Sequence, residues 1–209
     1  MSGSGPLIVP LLEAGFSVDA VDESEGLLAS WSERCKLARF DIPLLRQKVA
    51  TLNLPFRYAA AIVAGGSLQL LAPDAPCKAL ACLRAHLVEP AVLLLDLYVP
   101  EAAVHTPGAP VVEVKNAPLA DGSIIVRRSE TVTDPKRRQL LTTSRYEHRV
   151  GGRIVARQDE SKALTWYSEE EIETMLRHAG YGDIRIETTD WRDFAGQRYA
   201  VSARVEAHS

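Results

Sequence analysis

The chain carries no strong excess of charge of either sign. Lys and Arg together number 24 against 27 Asp and Glu, a formal net charge of −3. That balance leaves no electrostatic footprint for nucleic acid. Nothing in the 209 residues approaches the run of ~20 apolar residues that spans a bilayer. The apolar stretch Ala91 to Leu95 is bounded by Pro90 and Asp96. The first residues are Gly/Ser-rich with no basic segment, so they do not read as a signal peptide. Cysteine is scarce and odd in number. Cys35, Cys77 and Cys82 include no CxxC, which argues against a zinc site. Cys77 and Cys82 lie five apart, on different faces of any helix that holds both. Reduced thiols of this kind point to the cytoplasm. The reading is therefore a cytoplasmic protein with no membrane, nucleic-acid or metal partner and no stated oligomeric order. Internal repeats, low-complexity tracts and linkers are also lacking. Residues 1–209, 46% hydrophobic, suffice for one domain with a sizeable core.

Two textures fill that domain. Up to about residue 98, helical segments alternate with short apolar runs. Pro6 to Ala14 reads as a helix closed by Gly15, and Ser17 to Asp22 as a strand. Glu25 to Cys35 is helical, with Leu27, Leu28 and Trp31 on one side. Strands are expected over Pro43 to Gln47 and Ala59 to Ala64. Asp74 to Leu87 is a helix with Pro76 in its first turn, and Ala91 to Leu97 a continuous apolar strand. Such alternation predicts a parallel sheet in an α/β layer fold.

From about 110 to 166 the pattern changes. Val111 to Lys115, Ile124 to Thr133, Arg138 to Val150 and Arg153 to Lys162 read as four strands. Asp121-Gly122, Asp134-Pro135 and Gly151-Gly152 are the turns between them. This is an antiparallel meander inserted after the strand ending at Leu97, with one wet or cavity-lining face. With Gly151-Gly152 as a two-residue turn, Tyr146 pairs with Arg157 and His148 with Val155. The clearest helix start follows. Ser168 and Glu171 form a capping box, Ile172, Met175, Leu176 and Ala179 the apolar stripe, and Gly180 ends it. Ile184 to Thr189 and Arg198 to Glu206 are the last strands.

The chemistry-bearing segment is Gly3-Ser4-Gly5, then a helix, then Val18 to Asp22. Glycines at a strand-to-helix turn let the backbone approach a ligand, and a helix N-terminus favours negative charge. An acid ending the next strand can accept from both hydroxyls of a ribose. Asp22 lies seventeen residues after Gly5, with an unbroken helix-turn-strand pattern between.

The stretch GSGPLIVPLLEAGFSVDAVDES resembles the cofactor motif of class I S-adenosylmethionine-dependent methyltransferases. LPFRYAAAIVAGGSLQLL, CLRAHL, VLLLDLYVP and LTWYSEEEIETMLRHAGY are similar, in that order, to later segments of the bacterial small-molecule branch. The resemblance covers nearly the whole chain. It implies a Rossmann-like α/β fold with the meander, residues 98–167, as a lid over substrate. It also implies S-adenosylmethionine as cofactor. Gly3 and Gly5 would flank its methionine and ribose portions, and Asp22 would take the ribose hydroxyls with Glu23 beside it. Lys48 and Val49 stand where the family places an acid and an apolar residue against adenine. Ala64, Gly65 and Ser67 would line the methyl-donor side, Ser67 reaching substrate, and Tyr98 would face substrate. The resemblance implies that the chain begins at the glycine turn, with the family's first strand absent. Lys48 cannot accept from an adenine amino group, and Glu89-Pro90-Ala91 replaces the usual Pro-Gly-Gly turn.

Methyl transfer from a sulfonium needs proximity and a dry site, and a dedicated base is optional. No catalytic side chain is therefore assigned. His105, in the loop after the apolar strand, is the nearest candidate to substrate. His86 and His178 lie in last helical turns, where a protonated ring suits the dipole. The expected activity is methylation of a nitrogen or oxygen of a small metabolite. A degenerate, non-catalytic binding relative and a nicotinamide-dependent oxidoreductase also remain open from these residues. The second of these lacks a Tyr-x-x-x-Lys pair.

Overall fold

A computed structural model describes residues 7–100, 109–189 and 196–205. It divides into two compact units. The first holds residues up to Leu97, Ser168–Glu187 and the segment from Ala200. The second holds Tyr98–Tyr167 and Thr188–Tyr199.

In the first unit, helix α1 (Ile8–Glu13) ends at Gly15, whose φ of 87° only glycine adopts without strain. Strand β1 (Ala20–Asp22) follows, shorter than the expected Ser17 to Asp22. Helix α2 (Glu25–Leu37) starts where Ser24 Oγ accepts from Leu27 N at 3.3 Å. Its buried Leu28, Trp31 and Cys35 recur at three and four residues, the helical period. Leu28 and Trp31 close on Ala20, with Ile8, Leu27, Ile42 and Leu44 packed around them. Strand β2 (Leu44–Arg46) pairs in parallel with β1, Asp22 opposite Arg46.

Strand β3 (Tyr58–Val63) pairs in parallel with β4 (Leu87–Pro100), Val63 opposite Leu95. Between them runs α3 (Ala75–Ala85), with Pro76 at its start. β4 begins four residues before the apolar run that announced it, and the register with β3 shifts between Tyr58 and Ala60. Helix α4 (Glu169–His178) carries the capping box. Ser168 Oγ accepts from Glu171 N at 3.2 Å, and Glu171 accepts from Ser168 N at 2.8 Å. Strands β9 (Gly182–Thr189) and β10 (Gly196–Val205) complete a sheet of order β3-β4-β10-β9. β1 and β2 form a separate two-stranded sheet. Leu93, Leu95, Val201, Ala203 and Val205 are all buried in the core. Each large aliphatic side chain buried this way contributes about 1.5–3 kcal/mol. Leu80 and Leu176, both fully buried, belong to α3 and α4, which pack together. Tyr181 adds a buried hydrogen bond, its hydroxyl donating to Leu80 O at 3.2 Å, and burial pushes that phenol upward.

The second unit contains an antiparallel sheet of order β5-β6-β7-β8. Its strands are β5 (Val111–Pro118), β6 (Ile124–Asp134), β7 (Gln139–Val150) and β8 (Arg153–Thr165). Gly122, Gly151 and Gly152 take positive φ at the turns. The expected partners of Tyr146 and His148 are off by one. Tyr146 faces Gln158 and His148 faces Ala156, because the register slips between His148 and Arg149. The extra residue is Val155, a bulge that no residue type announces. One face is polar and half-buried, as the Thr and Arg content suggested. Ser129 and Ser144 are buried at its centre, 2.9 Å apart through their hydroxyls. Thr131 and Thr142 repeat that pairing at 2.9 Å.

Candidate functional site

The first unit carries two turns that follow the carboxyl ends of parallel strands, where open α/β sheets bind ligands. One follows β1. Asp22 is buried to 9% exposure, and its Oδ1 accepts from Ser24 N at 2.8 Å. That bond turns the chain into α2 and leaves the second carboxylate oxygen as acceptor. Glu23 is exposed beside it, and its backbone carbonyl accepts from Arg46 Nε at 3.3 Å.

The stretch after β2 carries Lys48 and Val49. Lys48 is exposed and precedes the 3-10 turn Val49–Thr51, while Val49 is half-buried. That turn is tied to α3. Cys82 Sγ donates to Ala50 O at 3.2 Å, and His86 Nε2 accepts from Leu54 N at 3.1 Å. His86 Nδ1 lies 2.8 Å from Cys82 O, which only accepts, so Nδ1 holds the proton. This corrects the reading of His86 as a protonated ring serving the helix dipole. The ring is neutral here, because Nε2 must offer a lone pair.

The other turn follows β3. Gly65 and Gly66 have φ of 70° and 66°, two left-handed residues in succession. Ser67 Oγ donates to Ala64 O, and Gln69 N donates to Gly66 O at 2.9 Å, opening a 3-10 turn over Ser67–Leu70. Ser67 has one hydroxyl proton and it is committed, so toward a ligand the oxygen acts as acceptor only. Gly66 N donates to Asp96 Oδ1 of β4 at 3.3 Å. In the sequence Asp96 stands only as the boundary of an apolar run. Its signal was a single acid inside VLLLDLY.

The remaining assignments divide. Gly3, Gly5 and His105 lie outside the described residues. Tyr98 is half-buried near the end of β4 and belongs to the second unit. Ala64 and Gly65 sit in the glycine turn with Ser67, the group that the resemblance singled out. His148 serves the meander: Nε2 lies 2.8 Å from Ser123 Oγ, which donates to Asp121 Oδ1 at 2.6 Å. A serine whose proton goes to a carboxylate, with the ring donating to it, closes a turn and is no activated nucleophile. Among the described residues no group of three His, Cys, Asp or Glu is placed to hold a metal. Among them, too, no helix is long and apolar enough to cross a membrane.

Comparison with solved structures gives this arrangement its class: the chain has the Rossmann-like α/β fold of the S-adenosylmethionine-dependent methyltransferases. It is similar to an S-adenosylmethionine-dependent methyltransferase from Clostridium acetobutylicum ATCC 824, with a TM-score of 0.76 at 19% identity over 98% of this chain and 81% of that one. It is also similar to the CcbJ methyltransferase from Streptomyces caelestis (TM-score 0.71, 20% identity, 97% of this chain, 85% of that one). The sugar N-methyltransferase KedS8 from Streptoalloteichus sp. ATCC 53650 matches with a TM-score of 0.73 at 17% identity, over 99% and 77% of the two chains. No protein-family model and no curated protein matches the sequence.

Proposed function

We propose that this protein is an S-adenosylmethionine-dependent methyltransferase that methylates a nitrogen or oxygen of a small molecule. The observation that carries the reading is Asp22. It is a buried acid at the carboxyl end of a parallel strand, with one oxygen tied to Ser24 and the other left as acceptor. In a fold shared with methyltransferases, that chemistry suits a ribose diol. The glycine turn fits the same cofactor, since Gly65 offers backbone without a side chain in its way. Lys48, which has donors only, does not match an adenine amino group, so adenine rests on Val49 and on backbone. Bound S-adenosylmethionine supplies an electrophilic methyl group. The chain's part is to hold the two reactants in line and exclude water. Ser67 supports this as an acceptor for a substrate N–H or O–H.

Residues 98–167 serve the substrate in this reading. Replacing 110–163 by a short loop then abolishes turnover and spares cofactor binding, and loss of both defeats the lid assignment. The cofactor itself is tested by calorimetric titration with S-adenosylmethionine, S-adenosylhomocysteine and NAD. Binding of the first two and not of NAD is the expected result. Preference for NAD overturns the reading in favour of an oxidoreductase, and binding of none favours a non-catalytic relative.

A further inference from the structure

We infer that Asp96 is a positioning residue of the methyl-donor side, acting through the backbone amide of Gly66. This rests on the methyltransferase reading above. Gly66 is buried, so its N–H cannot turn to water. A buried amide without a partner is costly, and Asp96 Oδ1 is the acceptor that meets it. The two elements joined are the turn after β3 and the strand β4, thirty residues apart in sequence.

The geometry makes this bond decisive for the turn. Gly65 and Gly66 are both left-handed and have no side chains to restrain them. Local bonds close the turn on itself: Ser67 donates to Ala64 O across the glycine pair, and Gln69 N donates to Gly66 O. Asp96 joins the glycine pair to the neighbouring strand, and that bond sets how far the turn stands from β4. Gly65 is the exposed apex of that turn. A rotation at Gly66 therefore moves Gly65 and Ser67, the residues assigned to the methyl-donor side. Asp96 makes no contact with the reacting atoms in this account. Its carboxylate oxygen sets the backbone that does.

Two variants separate the acceptor from the charge. Asp96→Asn keeps Oδ1 as acceptor and removes the charge, whereas Asp96→Leu removes both. Each is examined for S-adenosylhomocysteine affinity by calorimetry, for hydrogen exchange at the Gly66 amide in ligand-free protein, and for thermal melting. Asp96→Leu should weaken binding about tenfold, the factor for one hydrogen bond to a charged group. It should also speed exchange at Gly66. Asp96→Asn should stay close to wild type in both. Unchanged Gly66 exchange in Asp96→Leu overturns the inference, because the bond would not hold the turn. So does faster exchange with wild-type affinity, because the ligand would not depend on the turn. If wild type binds no S-adenosylhomocysteine, the methyltransferase reading fails and the inference falls with it. That result is distinct from a wild type that binds and a variant that binds equally well.

Discussion

The Tyr58 hydroxyl donates to Asp19 Oδ2 at 2.7 Å, joining the start of β3 to the residue before β1. These strands belong to different sheets, so the bond is a side-chain bridge where no backbone ladder runs. Burial first, and then the Asp19 carboxylate, push the Tyr58 phenol up to about 12 from an ordinary value of 10. A phenol raised in the folded state stabilises fully below its unfolded value. That stabilisation is lost as pH rises from 10 through about 12. Tyr58→Phe should cost about 1 kcal/mol at neutral pH, since the bond is to a charged group yet partly exposed. The variant should also lose less stability than wild type on alkaline titration. Urea melts of both proteins along that titration check the sign. A parallel decline in the two would show that Tyr58 is not the group responsible.

The bridge also marks where the sequence stops informing. Helix ends were legible because they are local. Ser168 with Glu171 before α4 and Gly15 after α1 each announce a cap within one turn of chain. The meander was legible for the same reason, through Asp121-Gly122 and Gly151-Gly152. Non-local choices were not. Val155 bulges because of strand twist and pairing, which alternation does not encode. β4 starts at Leu87 because Tyr58 pairs with it, although Glu89 and Pro90 are poor strand formers. At the site, Asp22 stood out by its spacing from Gly5, whereas Ala64, Gly65 and Ser67 were singled out only through the family resemblance. Asp96 and His86 act across elements, and each looked locally unremarkable.

His86 supplies a second prediction. Its ring holds Leu54 N and Cys82 O together, pinning the chain after the Val49–Thr51 turn onto α3. His86→Ala removes both partners and leaves a half-buried amide unpaired, at a cost of about 1–3 kcal/mol. Hydrogen exchange at Leu54 should speed up well beyond the global change. Exchange at Ser24, in the other sheet's turn, should shift only by the global amount. Equal acceleration at both sites would mean that the ring stabilises the whole fold and not this junction.

Glu113 contributes to the acid side of stability in the meander. Burial pushes its carboxyl up, but Lys115 at 2.9 Å and the Arg127 guanidinium outweigh that and hold it below its ordinary 4.5. A carboxyl lowered in the folded state stabilises fully above its unfolded value and loses that contribution as pH falls through the folded one. Arg127 Nε is buried without a hydrogen-bond partner, so the bond from Nη2 to Glu113 is the guanidinium's main compensation. Glu113→Gln should cost about 1 kcal/mol at neutral pH, in the range between exposed and buried pairs. It should also flatten the loss of stability below pH 4.5. Acid titration followed by circular dichroism decides this, and an unchanged acid limb would assign the loss to other carboxylates.

Asp22 gives the sharpest test of the proposed function, because its two oxygens do different work. A strand-end acid exposed in the empty site could be replaced by Ala at little cost to the fold. Here Asp22 is buried, and Oδ1 holds Ser24 N at the start of α2. Asp22→Ala therefore loses stability as well as any ligand contact, by about 0.5–2 kcal/mol for the lost cap-like bond. Asp22→Asn separates the effects. Its carbonyl can keep the Ser24 bond, so melting should stay near wild type. The other position becomes an amide, which donates and cannot accept from a ribose hydroxyl. Affinity for S-adenosylhomocysteine should then fall by about 1.5–3 kcal/mol, the range for hydrogen bonds to a charged group. Calorimetry on Asp22→Asn with a wild-type melting curve is the informative measurement. Wild-type affinity in that variant would make Asp22 a structural acid that shapes the α2 turn, and the ribose assignment would have to move elsewhere.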